Sequence, residues 1–382
     1  MRLITLVSAL AALQFSTVTL AAEPVSAPRV LAHYGELVHA SYADAHAGAL
    51  ALQKAVDAFV AAPSEAGLQA ARKAWLEARE WYGQTEAFRF YGGPIDGEDG
   101  PEGQINAWPM DEAYVDFVNG AAEAGIIADR SVSIDMDTLA GLNEKDGEEN
   151  ISTGWHAIEF MLWGQDLYED SPGRRAYTDF VDGQAPNADR RRDYLKVTTE
   201  LLVKDLAGLV DAWAPNADNY RKSFAADEGN LARVISAIGI LSRGELAGER
   251  IEVALDSQNQ EDEHSCFSDN THRDIVANAA GIRNVWRGQY TRADGSVLKG
   301  PGVRDLVAAK NKALATRVDS QIDGSVKAAE AIPAPFDRAI LAGNPGRAKV
   351  EATVVALKKQ TEGLVEAAAA LGIKRLNTAL PE

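Results

Sequence analysis

Residues 30–60, VLAHYGELVHASYADAHAGALALQKAVDAFV, decide the fold class. Leu31, Tyr34, Leu37, Val38, Tyr42, Ala45, Ala49, Leu52, Val56 and Phe59 recur at three- and four-residue steps. That spacing puts them on one face of a helix of about eight turns. Pro63 stops the run, and Ser64 with Glu65 opens a second helix over 68–90, which Gly92-Gly93-Pro94 ends. The same periodicity returns over 194–213, 231–255, 304–322 and 347–371, the last begun after Asn344-Pro345-Gly346. Alternating Val, Ile, Thr and aromatic residues bounded by turns are nearly absent. The expectation is an all-α protein built of two antiparallel four-helix-type bundles.

A chain of 382 residues has room for roughly two domains of about 150 residues. Residues 1–22 read as a cleaved export signal: Arg2, an apolar run, then small residues at Ala21 and Ala22. The first bundle is placed at 28–170 and the second at 185–380, with the boundary between 165 and 190. The mature chain contains no stretch apolar for long enough to span a bilayer. The expected location is the periplasm or the outer envelope.

A single cysteine excludes a disulfide scaffold. Cys266 also lies in the acidic stretch EDEHSCFSDNTH (261–272), where negative neighbours suppress the thiolate. The net charge is −18, which argues against nucleic acid and anionic lipid as partners and for cations. Much of that excess falls in the segments 96–102, 144–149 and 256–274. Phosphate-binding loops, the G-x-S-x-G elbow and H-E-x-x-H are missing.

His156-x-x-Glu159 puts an imidazole and a carboxylate one turn apart on one helical face, a spacing that can chelate an ion. Trp155, Ile158, Phe160, Met161, Leu162 and Trp163 surround the pair, so this helix is expected to be buried. The residues alone leave a hydrogen-bonded core histidine equally open. His33-x-x-Glu36 has the same pattern and, with His39 and His46, reads as a solvated helix face. Gly154 fits close helix packing or close approach of a ligand. Trp75, Arg79 and Tyr82 share a face, with Glu86 one turn on. Glu245 and Glu249 stand four apart in SRGELAGERIEVALDSQ (242–258), where surface ion pairing with Arg250 explains them as well as ligation does.

Taken together, these segments resemble the imelysin family, the M75-type peptidase group associated with bacterial iron uptake. The resemblance rests on the G-x-H-x-x-E element at Gly154, His156 and Glu159 and on AWLEAREWYGQTEAFRF (74–90), TGWHAIEFMLWGQDL (153–167), SRGELAGERIEVALDSQ and EDEHSCFSDNTH in order. It covers the chain from about Tyr34 to Leu371. It implies two four-helix bundles with a site near their junction and an exported, iron-linked role. By that resemblance His156 and Glu159 become metal ligands and Glu86 a third. Asp96, Glu245 and Glu249 are further candidates, while Trp75, Arg79 and Gly154 line the site. The implied cargo is iron or an iron complex, with zinc or copper as alternatives, and the implied partners are other envelope iron-uptake proteins. A metallopeptidase using Glu159 or Glu86 and a metal-free scaffold that binds a partner protein are the alternative functions.

Overall fold

The structure is a computed structural model that describes residues 24–374 together with 376, 378 and 380. The expected export signal at 1–22 lies outside the described residues. Among those residues no helix is long and apolar enough to cross a membrane.

The protein is all-α. Numbering the α-helices of eight residues or more in chain order, α1 is Ala27–Ala61, with Pro28 inside its first turn. There a missing N–H costs nothing. Ser64 caps α2 (Glu65–Thr85) by accepting from the Gly67 N–H at 3.2 Å. A single 3₁₀ turn, Glu86–Phe88, finishes that helix. After a long insert of short helices and loops come α3 (Gly154–Trp163) and α4 (Ala188–Ala212). Helix α5 (Asn230–Ile240) runs on as a π-helical stretch, Leu241–Glu252, and ends in Val253–Ser257. Helix α6 is Thr271–Arg287.

Two features depart from the sequence reading. A small antiparallel hairpin follows α6, pairing β1 (Gln289–Thr291) with β2 (Val297–Lys299). The helix expected over 304–322 is two, α7 (Val303–Lys310) and α8 (Lys312–Glu330). Asn311 separates them in extended conformation, and its side chain caps α8 by accepting from the Leu314 N–H at 3.0 Å. The last helix, α9, is Arg347–Ala370.

Helices α1, α2, α3 and α4 pack on one another, and α5 with its π stretch, α6, α8 and α9 form a second group. Helix α6 also lies along α2 and joins the two. The first group therefore extends past the boundary expected at 165–190. Helix α4 turns Tyr194, Leu195, Leu202, Leu206 and Leu209 into the buried core and packs on α1 and α3, although the sequence reading places it with the second bundle. The segment between Pro172 and Pro186 is thus a connection inside the first group.

Candidate metal centre

Every residue of α3 is buried. The helix can start where it does because residue 154 is glycine: its φ is +84°, and a Cβ there would lie 2.4 Å from the Ile105 carbonyl oxygen. Of the two roles open from sequence, close packing is the one occupied. Gly154→Ala is expected to destabilise the protein by about 2 kcal/mol or more, from left-handed backbone strain plus the clash. A chemical-denaturation midpoint matching wild type would contradict this.

One turn into α3, His156 Nδ1 and Glu159 Oε2 share a hydrogen bond of 3.0 Å, with both side chains fully buried. The other oxygen of Glu159, Oε1, accepts from the Ser268 N–H at 3.0 Å and the Ser268 hydroxyl at 2.6 Å. Glu159 is thus fixed by a loop 109 residues away, and it fixes the imidazole in turn. The Nε2 of His156 is buried and has no partner. A polar atom left so costs about 1–3 kcal/mol, which a ligand would remove.

A second histidine faces the first. The rings of His156 and His264 lie 4.7 Å apart, near-perpendicular, with the Trp108 ring 4.9 Å from His156 on another side. His264 repeats the arrangement of His156: its Nδ1 meets a buried carboxylate, Asp274 Oδ2, at 3.1 Å. Asp274 is held by the Arg79 guanidinium at 2.9 Å and by the Ser265 hydroxyl at 2.6 Å. Arg79 also donates to Asn106 at 2.7 Å, and Asn106 donates to Glu86 at 3.3 Å. Glu86 accepts from both Arg89 and Arg250 at 2.7 Å.

The charges follow from these contacts. Burial first, then His264 and Arg79, hold the His156 imidazole well below its ordinary pKa. Burial and Arg250 take His264 down to about 4 against the pull of Asp274. Both rings are neutral near pH 7, the form that binds metal. Burial raises Glu159 to about 8, with Ser268 opposing it. Burial alone would raise Glu86 too, but Arg250 and Arg89 reverse it to about 2.

Of the residues singled out in the sequence, His156, Glu159, Trp75, Arg79 and Gly154 come together. The Trp75 indole donates to the Trp155 carbonyl at 3.1 Å, and its ring lies 5.5 Å from the Arg79 guanidinium. Glu86 stands two links away, neutralised by its arginines. Among the described residues, His156, Glu159 and Glu86 do not form a group with one ligand atom each within 4.8 Å of the others. Asp96 instead ties its own loop, accepting from the backbone N–H groups of Phe90, Tyr91 and Gly93. Glu245 pairs with Arg250 at 2.8 Å, and Glu249 is exposed. Both line a cleft of about 440 Å³ together with Arg89, Asn106, Trp108 and His264. Glu102, Glu144 and Asp262 line it as well, so the acidic segments of the sequence do border this opening.

His33 shows what the same H-x-x-E spacing does without a site. It is buried rather than solvated, with Nδ1 2.9 Å from Glu36 and Nε2 2.9 Å from the Gly288 carbonyl oxygen. Both nitrogens are used, and the ring pins α1 to the end of α6. Cys266 is buried too, and burial pushes its thiol well up, which fits no nucleophile. Sequence reasoning does not single out His264, Ser268, Asp274, Asn106 or Trp108. Their signal is indirect: His264 and Ser268 sit in EDEHSCFSDNTH, whose composition marks it only as an acidic loop.

The family described as imelysin, peptidase M75, matches residues 38–364. Iron-regulated protein A of Synechococcus elongatus is 28% identical over 313 residues, covering 79% of this chain and 74% of the relative. An iron-regulated protein A precursor from Parabacteroides distasonis superposes with a TM-score of 0.71 at 20% identity, over 91% of this chain and 96% of the other. An imelysin-like protein from Psychrobacter arcticum gives 0.66 at 16% identity, over 91% and 97%. At such identities these two structures speak for the fold, whereas the sequence match spans most of the length: the chain belongs to the imelysin family.

Proposed function

We propose that this chain is an exported protein of bacterial iron uptake that holds iron at the His156–His264 pair between its two helix groups. The observation that carries the reading is the buried, partnerless Nε2 of His156, with Nδ1 engaged by a carboxylate. Metal-binding histidines are oriented in this way, the second nitrogen donating to a carboxylate that fixes the tautomer. Once Glu159 has lost its proton and the imidazole proton sits on Nδ1, Nε2 presents its lone pair. Glu159 then acts as the group that orients the ligand, and His264, set by Asp274, supplies the second imidazole.

Two imidazoles beside carboxylates suit iron, and zinc and copper as well. Iron is favoured because the Synechococcus relative is named as iron-regulated. Export is favoured by residues 1–22, and a handover to other envelope proteins by the open cleft at His264. The peptidase alternative needs a free carboxylate to serve as base. Glu159 has both oxygens engaged and Glu86 is bound by two arginines, which supports binding over hydrolysis.

Calorimetric titration of the metal-free protein with ferrous iron under anaerobic conditions, and with zinc and copper, tests the reading. His156→Ala is expected to weaken binding at least about 100-fold. Glu159→Gln, which removes an orienting carboxylate, is expected to weaken it about 10–100-fold. Affinities for all three ions unchanged by both substitutions would refute the site.

A further inference from the structure

Four buried carboxylates in this protein are matched to arginines. Glu86 has Arg89 and Arg250, Asp274 has Arg79, Asp116 has Arg175 and Arg191, and Asp44 has Arg292. Glu159 has no cation but is held by His156 and Ser268, whereas one cluster lacks both cations and hydrogen-bond partners for its buried oxygens among the described residues. Glu263, Asp269 and Asp337 each bring a carboxylate oxygen within 4.8 Å of the other two. Glu263 and Asp269 lie in the loop between the π-helical run and α6, and Asp337 lies on the short helix Phe336–Ala339.

Glu263 is fully buried, and neither of its carboxylate oxygens has a hydrogen-bond partner. The buried Oδ1 of Asp337 has none either. Nearby, Asp166 accepts from the Tyr168 N–H at 3.0 Å through Oδ1, while its Oδ2 is buried and unpartnered. Arg338, next in sequence to Asp337, is engaged with the exposed Glu169 at 3.2 Å.

Three converging carboxylates repel one another when ionised, and the cation that would relieve this can be read from the donors. All are hard oxygens with no nitrogen or sulfur, which selects calcium or magnesium over iron, zinc or copper. Calcium–oxygen distances of about 2.4 Å allow two ligands of one ion to stand up to about 4.8 Å apart, the limit within which these oxygens lie. Magnesium demands a near-ideal octahedron at shorter range and keeps much of its water. Calcium accepts irregular carboxylate sets gathered from separate segments.

We propose that Glu263, Asp269 and Asp337 form a calcium site that clamps the loop before α6 to the Phe336–Ala339 helix. The inference does not rest on the iron reading, since it uses none of those donors. It does reach that site mechanically. Glu263 adjoins His264 and Asp269 adjoins Ser268, so the clamped loop is the one that places the second imidazole and anchors Glu159.

The test is calcium titration of full-length, chelator-treated protein, read by calorimetry and by thermal unfolding. One calcium per chain is expected, with a rise in Tm of about 5 °C at a hundredfold excess over Kd. Asp337→Asn is expected to weaken calcium binding at least tenfold without lowering the calcium-free Tm, because it also removes a repulsive charge. Glu263→Gln is expected to weaken binding similarly, and His156→Ala is expected to leave it unchanged. No saturable binding at millimolar calcium would overturn the proposal, as would wild-type affinity in Asp337→Asn. The first result would leave the cluster held by shared protons, and the second would put the ion elsewhere.

Discussion

Replacing Arg79 with alanine is expected to destabilise the protein by about 3–5 kcal/mol, the range for breaking one side of a buried ion pair. Arg79 and Asp274 are each 2% exposed and 2.9 Å apart. Without the guanidinium, Asp274 keeps neutral partners in Ser265 and Asn270, and its charge stays buried. Asn106 loses its donor, and the rings of Trp75, Tyr82 and Trp155, each within 5.7 Å of the guanidinium carbon, lose the group they enclose. Guanidinium unfolding of Arg79→Ala, Asp274→Asn and the double variant measures the pair. The double variant is expected to recover part of the loss, because no uncompensated charge remains. A surface pair such as Lys73–Glu77 gives the scale for comparison. It is just as close, at 2.7 Å, but exposed, and its loss is expected to cost under about 0.5 kcal/mol. If Arg79→Ala costs no more than that, the junction network is not held by charge.

The metal-free protein is expected to lose stability as pH rises from about 6.5 to about 9. Burial raises Glu159 to about 8, so the folded protein binds that proton more tightly than the unfolded chain, whose carboxyl titrates near 4.5. Its contribution is full below about 4.5 and vanishes as pH rises through about 8. Asp269 and Glu261, raised by burial to about 7, and Asp166, raised to about 6, act with the same sign but are partly solvated. Glu86 acts oppositely. Held near 2, it contributes stability above about 4.5 and loses it only as pH falls through about 2. His264, held down to about 4, and His156, also lowered by burial, act against the raised carboxylates below about 6.5, so the net fall is expected above that pH. A tenfold difference in proton affinity between the folded and unfolded chain is worth about 1.4 kcal/mol, so the fall exceeds that figure for Glu159 alone. Urea midpoints at pH 6.5 and 8.5 in the presence of chelator measure it. Glu159→Gln is expected to flatten the slope, and a midpoint that rises with pH would reverse the argument.

The long helices are legible because their information is local. The stripe from Leu31 to Phe59 and the caps at Pro63 and Ser64 need no distant partner to be read. The break at Asn311 is harder, since apolar periodicity carries across it and one side-chain cap decides it. Helix α4 goes to the wrong neighbours in the sequence reading for a related reason. Its stripe shows that it buries a face, whereas the partner of that face is a tertiary fact.

The site divides in the same way. His156 and Glu159 are readable at i, i+3, and so are the acidic segments that turn out to border the cleft. His264, Ser268 and Asp274 are not, because they meet residues 79, 156 and 159 only through the packing of α6 on α2. Glu86 is readable as a residue on the right face, but the two arginines that neutralise it come from the next turn and from the π-helical stretch 164 residues on. His33 supplies the contrast. The same four-residue pattern is a structural tie in one place and leaves a nitrogen without a partner in the other, and the difference is one carbonyl 255 residues away.

That dependence on distant segments sets an order of events during biosynthesis. A nascent chain that has emerged only through residue 212 contains α1 to α4 and one imidazole of the pair. Its Glu159 has no Ser268 to hold it, and no second ring stands opposite. The loop before α6 completes the centre only after more than fifty further residues have followed. If the pair binds metal as proposed, a growing or unfolded chain has no formed chelate, and capture waits until folding has closed the junction.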